Sequence, residues 1–382
     1  MSRTSLRSSR TAVAAAVVVA VAACGGGDEP TGADPTTAGS LDTAGGVVTA
    51  SSEVPSSSDG VGVALILKNT SNPFFVSMSD SARAEAEALG VELTVAAGTE
   101  DGDTDTQIAA IEDAVDRGDA GILITPNGDA VVPALEAARE AGLYTIALDT
   151  PPNPADAVDI TFATDNRAAG VLIGEWTAAT LEGAPATIAM LDLFDDQVIS
   201  VDVQRDQGFL LGMGIIDEVD TSGNGEESPT GEYRGGEYEI VCHEATQGAV
   251  DGGRSAMEAC LAQDPDVDVV YTINEPAAQG AFDALTAAGS AQDVIIVSVD
   301  GGCDPGLRLV SEGVIGATSQ QYPGRMATLG MEAIAELAAG GDAPEVTPGL
   351  DFFDTGVSLV TDSPVDGVDS ISVAEGREIC WG

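Results

Sequence analysis

Residues 61–97 read VGVALILKNTSNPFFVSMSDSARAEAEALGVELTVAA. The apolar, β-branched run Val61–Leu67 gives way to a polar loop, then to the Ala/Glu-rich amphipathic segment Ser79–Leu89, then to a second apolar run, Val91–Ala96. A short run that is apolar at every position suits a strand covered on both faces, and a 3.6-residue period suits a helix that covers one of them. The stretch therefore predicts a strand–helix–strand unit with parallel strands. The same alternation continues outward. Ala120–Thr125, Tyr144–Leu148, Thr187–Leu193, Tyr238–Cys242, Val267–Ile273 and Val294–Val299 read as strands. Thr106–Arg117, Ala130–Ala141, Gly170–Leu181, Gly252–Ala262 and Pro276–Ala288 read as helices, and Thr221–Gly236 as a loop or edge insertion. The prediction is an α/β chain with doubly wound parallel sheets. Its patterned region, 61–373, exceeds what one core usually serves, so two lobes are expected.

The N-terminal region has a different grammar. Arg3, Arg7 and Arg10 precede an apolar stretch from Ala12 to Ala23, then Cys24 and Gly25-Gly26-Gly27. About a dozen apolar residues are too few to span a ~30 Å hydrocarbon core, which takes about twenty. Basic residues, a short apolar segment and small residues at the end describe an export signal. A cysteine directly after them resembles the bacterial lipobox, in which that thiol carries lipid. The expectation is a lipoprotein signal peptide over 1–23, lipidation at Cys24 and a Gly/Pro/Ser/Thr-rich stalk over 24–59. That places the protein on the outer face of the cell membrane or in the periplasm, touching the membrane through its anchor alone.

The chain carries 14 Lys+Arg against 63 Asp+Glu, a formal charge of −49, and Lys68 is its one lysine. Such a surface repels nucleic acid and anionic lipid, which excludes a nucleic-acid role. The acids are spread along the chain rather than gathered, as general solvation in a salty setting would require. Beyond Cys24 stand Cys242, Cys260, Cys303 and Cys380. Four thiols allow three connectivities, and an oxidising compartment permits disulfides. Cys242 ends a strand-like run and Cys260 lies in the next helix, so a local pair is expected, leaving Cys303 with Cys380. Zinc is the alternative, but there is no C-x-x-C and His243 is the only histidine, with no partner nameable from sequence. No metal and no cofactor are expected.

Parallel sheets place ligands beyond the carboxyl ends of their strands. The residues there are rich in hydrogen-bonding groups: Lys68 and Asn69, Thr125, Asp149 and Thr150, Asn274 and Glu275, Asp300. Asn72-Pro73-Phe74-Phe75 adds two adjacent rings in a chain poor in aromatics. A sugar presents apolar C–H faces and a rim of hydroxyls, so it suits a stacked ring together with Asn, Asp, Arg and Gln.

The segments Asn72–Phe75, Ala147–Thr150, Arg205–Phe209, Thr272–Pro276, Ser298–Cys303 and Ala317–Pro323 resemble the periplasmic sugar-binding proteins of the ribose type, the receptors of bacterial ABC importers. The match runs in order through nearly everything from Val61 to about Val360. Val203–Phe209, Tyr271–Ala277, Ser298–Cys303, Ile315–Tyr322, Asp351–Gly356 and Cys380-Trp381-Gly382 are most similar to fructose-binding members. The resemblance implies the type I periplasmic binding protein fold, with a first lobe of 60–164 plus 322–348 and a second of 165–321 plus 349–382. The crossings would lie near Thr164–Asp165, Gln320–Gln321 and Pro348–Asp351. It implies ligand contacts from Asn72, Phe74 or Phe75, and Asp149 in the first lobe. From the second it implies Arg205, opening a helix, Asn274 and Asp300, with Gln321 at a crossing. Thr125 and Thr150 are additional candidates. Many ribose-type members carry an arginine where Thr150 stands, which argues against ribose itself; Lys68 could supply that donor. The implied function is monosaccharide binding, fructose foremost, by hinge closure of a monomer that docks on an ABC permease and its ATPase. A sensor that hands the sugar to a chemoreceptor or kinase would use the same cleft. A glycosidase built on Asp149 and Asp300 is the enzymatic rival; no Gly-x-Ser-x-Gly elbow or phosphate-cradling glycine loop accompanies it, and no catalysis is expected. The sugar-responsive repressors, which share this lobe pair, are excluded by the export signal and the absent helix-turn-helix.

Overall fold

The computed structural model describes residues 60–219, 222–224 and 228–382. The expected leader over 1–23, the lipidation site Cys24 and the stalk over 24–59 lie outside the described residues.

Strands β1 (Gly62–Leu67), β2 (Glu92–Ala97), β3 (Gly121–Ile124), β4 (Tyr144–Leu148) and β5 (Ile160–Ala163) build a first sheet. Strands β6 (Ala186–Asp192), β7 (Thr230–Glu232), β8 (Glu237–Ala245), β9 (Val269–Thr272), β10 (Ile295–Asp300) and β11 (Ala317–Gln320) build a second. The chain then returns to both, with β12 (Phe353–Asp354) on the first and β13 (Ser358–Val360) on the second. The first sheet runs β12-β5-β4-β3-β1-β2, parallel throughout. The second runs β13-β11-β10-β9-β6-β8-β7, with only the two outer strands antiparallel. Both are doubly wound, and the strand order reverses at β1/β3 and at β6/β9, where such sheets receive ligands.

Helices α1 (Pro73–Leu89), α2 (Thr104–Arg117) and α3 (Val132–Glu140) belong to the first sheet. Helices α4 (Asn166–Thr180), α5 (Ser200–Met213), α6 (Val250–Gln263), α7 (Glu275–Ala288) and the single turn α8 (Arg308–Ser311) belong to the second. Helix α9 (Pro323–Ala338) crosses back to pack on α1, and α10 (Val373–Gly376) ends against the second core. The unbroken apolar strands have a simple cause. Val63, Leu65 and Leu67 of β1 enter one core and Ala64 and Ile66 another, so both faces are covered. In β6, Ile188 and Met190 part from Ala189 and Leu191 in the same way. Disulfides join Cys242 to Cys260 and Cys303 to Cys380. No helix of the described residues is long and apolar enough to cross a membrane.

The structure corrects two expectations. The third crossing does not fall at Pro348–Asp351: β12 pairs with β5, with Phe353 opposite Phe162, and the chain reaches the second sheet only at β13. Edge-to-face packing of Phe353 on Phe162, with centroids 5.3 Å apart, and the bond from Thr355 N–H to the Ala163 carbonyl hold it on the first sheet. Residues 349–354 therefore belong with the first lobe rather than the second. Arg205 does not open its helix; it is the sixth residue of α5. The amphipathic period there is erased because Asp202, Arg205, Asp206 and Gln207 are buried beside Val203, Phe209 and Leu210.

Candidate functional site

The local geometry first singles out two carboxylates. Among the described residues four non-glycine residues have positive φ: Asp149 (66°), Glu182 (50°), Gln247 (55°) and Asp300 (129°). Such conformations cost of order 1–3 kcal/mol and persist where the surroundings over-determine them, often at ligand clamps. Asp149 directly follows β4 and Asp300 ends β10, one in each lobe. Their charges are near enough to couple.

Around Asp149 the first lobe gathers its polar groups. Lys68 Nζ donates to Thr150 Oγ1 at 2.8 Å and lies 3.9 Å from Asp149 Oδ2, while Thr150 Oγ1 donates to that same oxygen at 2.8 Å. Lys68 thus stands beside Thr150, as a replacement donor would have to. Its own N–H donates to Thr125 Oγ1 at 2.8 Å. Thr125 has no exposed surface. The structure therefore makes it a support for the Lys68 backbone rather than a reachable contact.

The second lobe builds around Arg205. Its Nε donates to Asn166 Oδ1 at 2.8 Å, and its Nη1 donates to the Ile273 carbonyl at 2.9 Å and reaches Asp300 Oδ1 at 3.5 Å. Close approach of α4 and α5 sets this reach. A Cβ on Gly208 would collide with the Arg167 carbonyl, so the Arg-x-x-Gly spacing seats the guanidinium against Asn166. Gln321 Nε2 donates to Asp300 Oδ1 at 2.9 Å. Burial, reinforced by the Asp149 charge, pushes Asp300 up to about 7, against the pull of Arg205, Gln321 and Lys68.

Glu275 went unassigned in the sequence, and the structure gives it a central place. Fully enclosed at the start of α7, it accepts from Gly301 N–H at 2.7 Å, Gly302 N–H at 3.2 Å and Thr318 Oγ1 at 2.9 Å. It pins the turn that carries Asp300. Burial and the Asp300 charge raise it to about 8 despite those three donors.

Both asparagines of the expected set cap helices. Asn72 Oδ1 accepts from Phe74 N–H at 2.9 Å, which leaves its amide NH2 for the cavity it lines. Asn274 Oδ1 accepts from Ala277 N–H and its Nδ2 donates to the Gly248 carbonyl, each at 3.1 Å. Phe74 and Phe75 are 3% and 5% exposed and meet edge to face at 5.4 Å within the first core. Phe75 lies 6.0 Å beneath Lys68 Nζ, within cation–π range.

Two cavities open between the lobes. One, of about 430 Å³, is lined by Lys68, Asn127 and Thr150 and by Phe194, Ser200 and Gln204. The other, of about 690 Å³, is lined by Asn69, Asn72 and Pro73 and by Gly248, Pro276 and Arg308. Asp101 and Phe194 border both. Asp149, Arg205 and Asp300 border neither; at 4%, 5% and 5% exposure they are buried where the lobes meet. Lys68 and Thr150, which both contact Asp149, line the first cavity and link it to the charged cluster. Phe194 was missed in the sequence, although the rule that found Asp149 applies to it, since it lies just beyond β6.

His243 does have a partner: its Nδ1 lies 2.9 Å from Asp192 Oδ2. Together with Asp206 these residues can bring three donor atoms within 4.8 Å of one another, a grouping that Cys/His spacing does not reveal.

Residues 63–342 match the family described as periplasmic binding protein domain. The chain is 29% identical to the ribose import binding protein of Salmonella typhimurium over 280 residues, covering 73% of this chain and 85% of that one. It is 30% identical to the D-apiose import binding protein of Actinobacillus succinogenes over 260 residues, covering 68% and 76%. In fold it matches an ABC transporter solute-binding protein from Actinobacillus succinogenes solved with D-allose, at a TM-score of 0.68 and 20% identity, over 83% of this chain and 99% of that one. A solute-binding protein from Agrobacterium vitis solved with D-tagatopyranose gives 0.68 at 19% identity, over 84% and 99%. The relatives bind solutes and are not enzymes. Two doubly wound lobes with a buried carboxylate–guanidinium cluster between them, and a family match across both, identify the chain as a member of the periplasmic binding protein family, in its ribose-type sugar-binding branch.

Proposed function

We propose that the protein is a lipid-anchored receptor that closes on a monosaccharide between its lobes and presents it to an ABC importer permease. The carrying observation is the buried arrangement of Asp149 and Lys68 against Arg205, Asp300 and Gln321. A sugar hydroxyl is both donor and acceptor, so alternating carboxylate acceptors and cationic donors can bind successive hydroxyls. Fructose is the favoured ligand because the segments Val203–Phe209 and Ser298–Cys303 and the terminal Cys380-Trp381 resemble fructose-binding members; Thr150, standing where many ribose binders carry arginine, argues against ribose. Opening and closing would be hinge motion about the three crossings, and the permease would read the closed form.

A thermal-shift panel of fructose, ribose, xylose, glucose, galactose, mannose and inositol tests this reading. A ligand at a thousand times its dissociation constant adds about 4 kcal/mol to the folded state. One sugar is expected to raise the melting temperature strongly, and Asp300→Ala to abolish the rise. Silence across the panel would sink the sugar assignment. The anchor rests on the leader and Cys24. Expressed in a bacterium, the wild type is expected in the membrane fraction and Cys24→Ser in the soluble one; equal partition of the two would refute lipidation.

A further inference from the structure

We infer that Trp381 is a positioning residue of the ligand site, held across the two lobes by the Cys303–Cys380 disulfide. The inference deepens the receptor reading and rests on it for its ligand.

Trp381 connects both halves of the site. Its Nε1 donates to the Gln321 carbonyl at 2.8 Å, and the Gln321 side chain donates to Asp300 Oδ1 at 2.9 Å, beside Arg205. Its ring meets Phe74 edge to face at 5.2 Å, Phe74 meets Phe75 at 5.4 Å, and Phe75 lies under Lys68. One indole therefore touches the polar relay of the second lobe and the aromatic pair of the first.

The indole is anchored from the second lobe. Cys303 N–H donates to the Trp381 carbonyl at 2.8 Å, and the disulfide ties the neighbouring Cys380 to Cys303 in the loop after β10. Gly302 makes room: a Cβ there would lie 3.2 Å from the ring. Yet Trp381 packs among the first lobe's core residues, and its anchor follows the second lobe's β10. Beyond the three covalent crossings it forms a fourth link, which favours the approach of the lobes and fixes Gln321 behind Asp300.

The test compares wild type, Trp381→Ala, Trp381→Phe and the double variant Cys303→Ser/Cys380→Ser. Small-angle X-ray scattering of the ligand-free chain is expected to give a larger radius of gyration for Trp381→Ala and for the double variant. With fructose, stopped-flow binding is expected to show dissociation about tenfold faster in Trp381→Ala with association little changed, the size of one lost aromatic pair and part of a hydrogen bond. Trp381→Phe keeps the ring contact and should recover part of that loss, which a purely structural role would not produce. An unchanged radius of gyration in Trp381→Ala would overturn the inference, as would dissociation within twofold of wild type. If the wild type binds no sugar, the receptor reading fails, and the scattering comparison still decides the role of Trp381.

Discussion

Arg205→Ala is expected to lose at least a hundredfold in sugar affinity and to destabilise the fold by about 3–5 kcal/mol. Arg205 is 5% exposed, and its guanidinium serves Asn166 Oδ1, the Ile273 carbonyl and Asp300 Oδ1 at once. Removing it strips Asp300 of its cation in a site where burial already works against the charge. A buried carboxylate left without its partner costs more than the pair contributed, because its desolvation is no longer offset. Affinity falls for a second reason, since charge-assisted bonds to hydroxyls are worth about 1.5–3 kcal/mol each and two of them account for the hundredfold. Arg205→Lys should recover only part of either loss, because an ammonium cannot reach Asn166 and Ile273 as a planar fork. Urea unfolding reads the first effect and titration calorimetry the second. Wild-type affinity in the alanine variant would mean that the ligand binds elsewhere.

Glu275→Ala should be at least as damaging to stability, by about 3–9 kcal/mol, without removing any group assigned to the ligand. It orphans two buried backbone N–H groups, of Gly301 and Gly302, and the Thr318 hydroxyl. Each unsatisfied donor costs about 1–3 kcal/mol. Affinity should fall with it, because the released turn carries Asp300. The same residue makes stability depend on pH. Burial and Asp300 hold Glu275 up near 8, from an ordinary value of 4.5, so between those values the folded state binds a proton that the unfolded state has released. Its contribution is therefore complete below about 4.5 and is lost as pH rises through about 8. The melting temperature of the ligand-free protein should fall over that window, where Asp300 and Asp202, both raised to about 7, add to the slope. Glu275→Gln should lessen the slope without abolishing it. An alanine variant within 1 kcal/mol of wild type, or an unchanged slope in the glutamine variant, would contradict the assignment.

Much of the candidate site was legible in the sequence because parallel sheets put polar groups at their strand ends. Asp149, Asn274 and Asp300 each stand at or just past an apolar run, and the run is visible without knowing its neighbours. The strands themselves were legible because burial on both faces leaves an uninterrupted apolar signal. The same logic explains the failures. Strand β12 is two residues long, too short to show a period, so its return to the first sheet left no local signal and the third crossing was misplaced. Helix α5 buries polar groups on what would be its apolar face, so its period vanishes where the site begins.

The sequence by itself determined the class of fold and its lobed organisation, from local periodicity and length. It placed Lys68, Asp149 and Asp300 at strand ends, whereas Arg205 and Gln321 were implied only by the family resemblance. Only the tertiary structure decided which groups hold those residues in place. Glu275 meets Gly301 and Thr318 across 26 and 43 positions, Arg205 meets Asn166 across 39, and Trp381 meets Gln321 across 60. Periodicity carries no information over such separations. A buried donor takes whichever acceptor the packed chain brings to it, and that is settled only when the strands, helices and disulfides have closed around it.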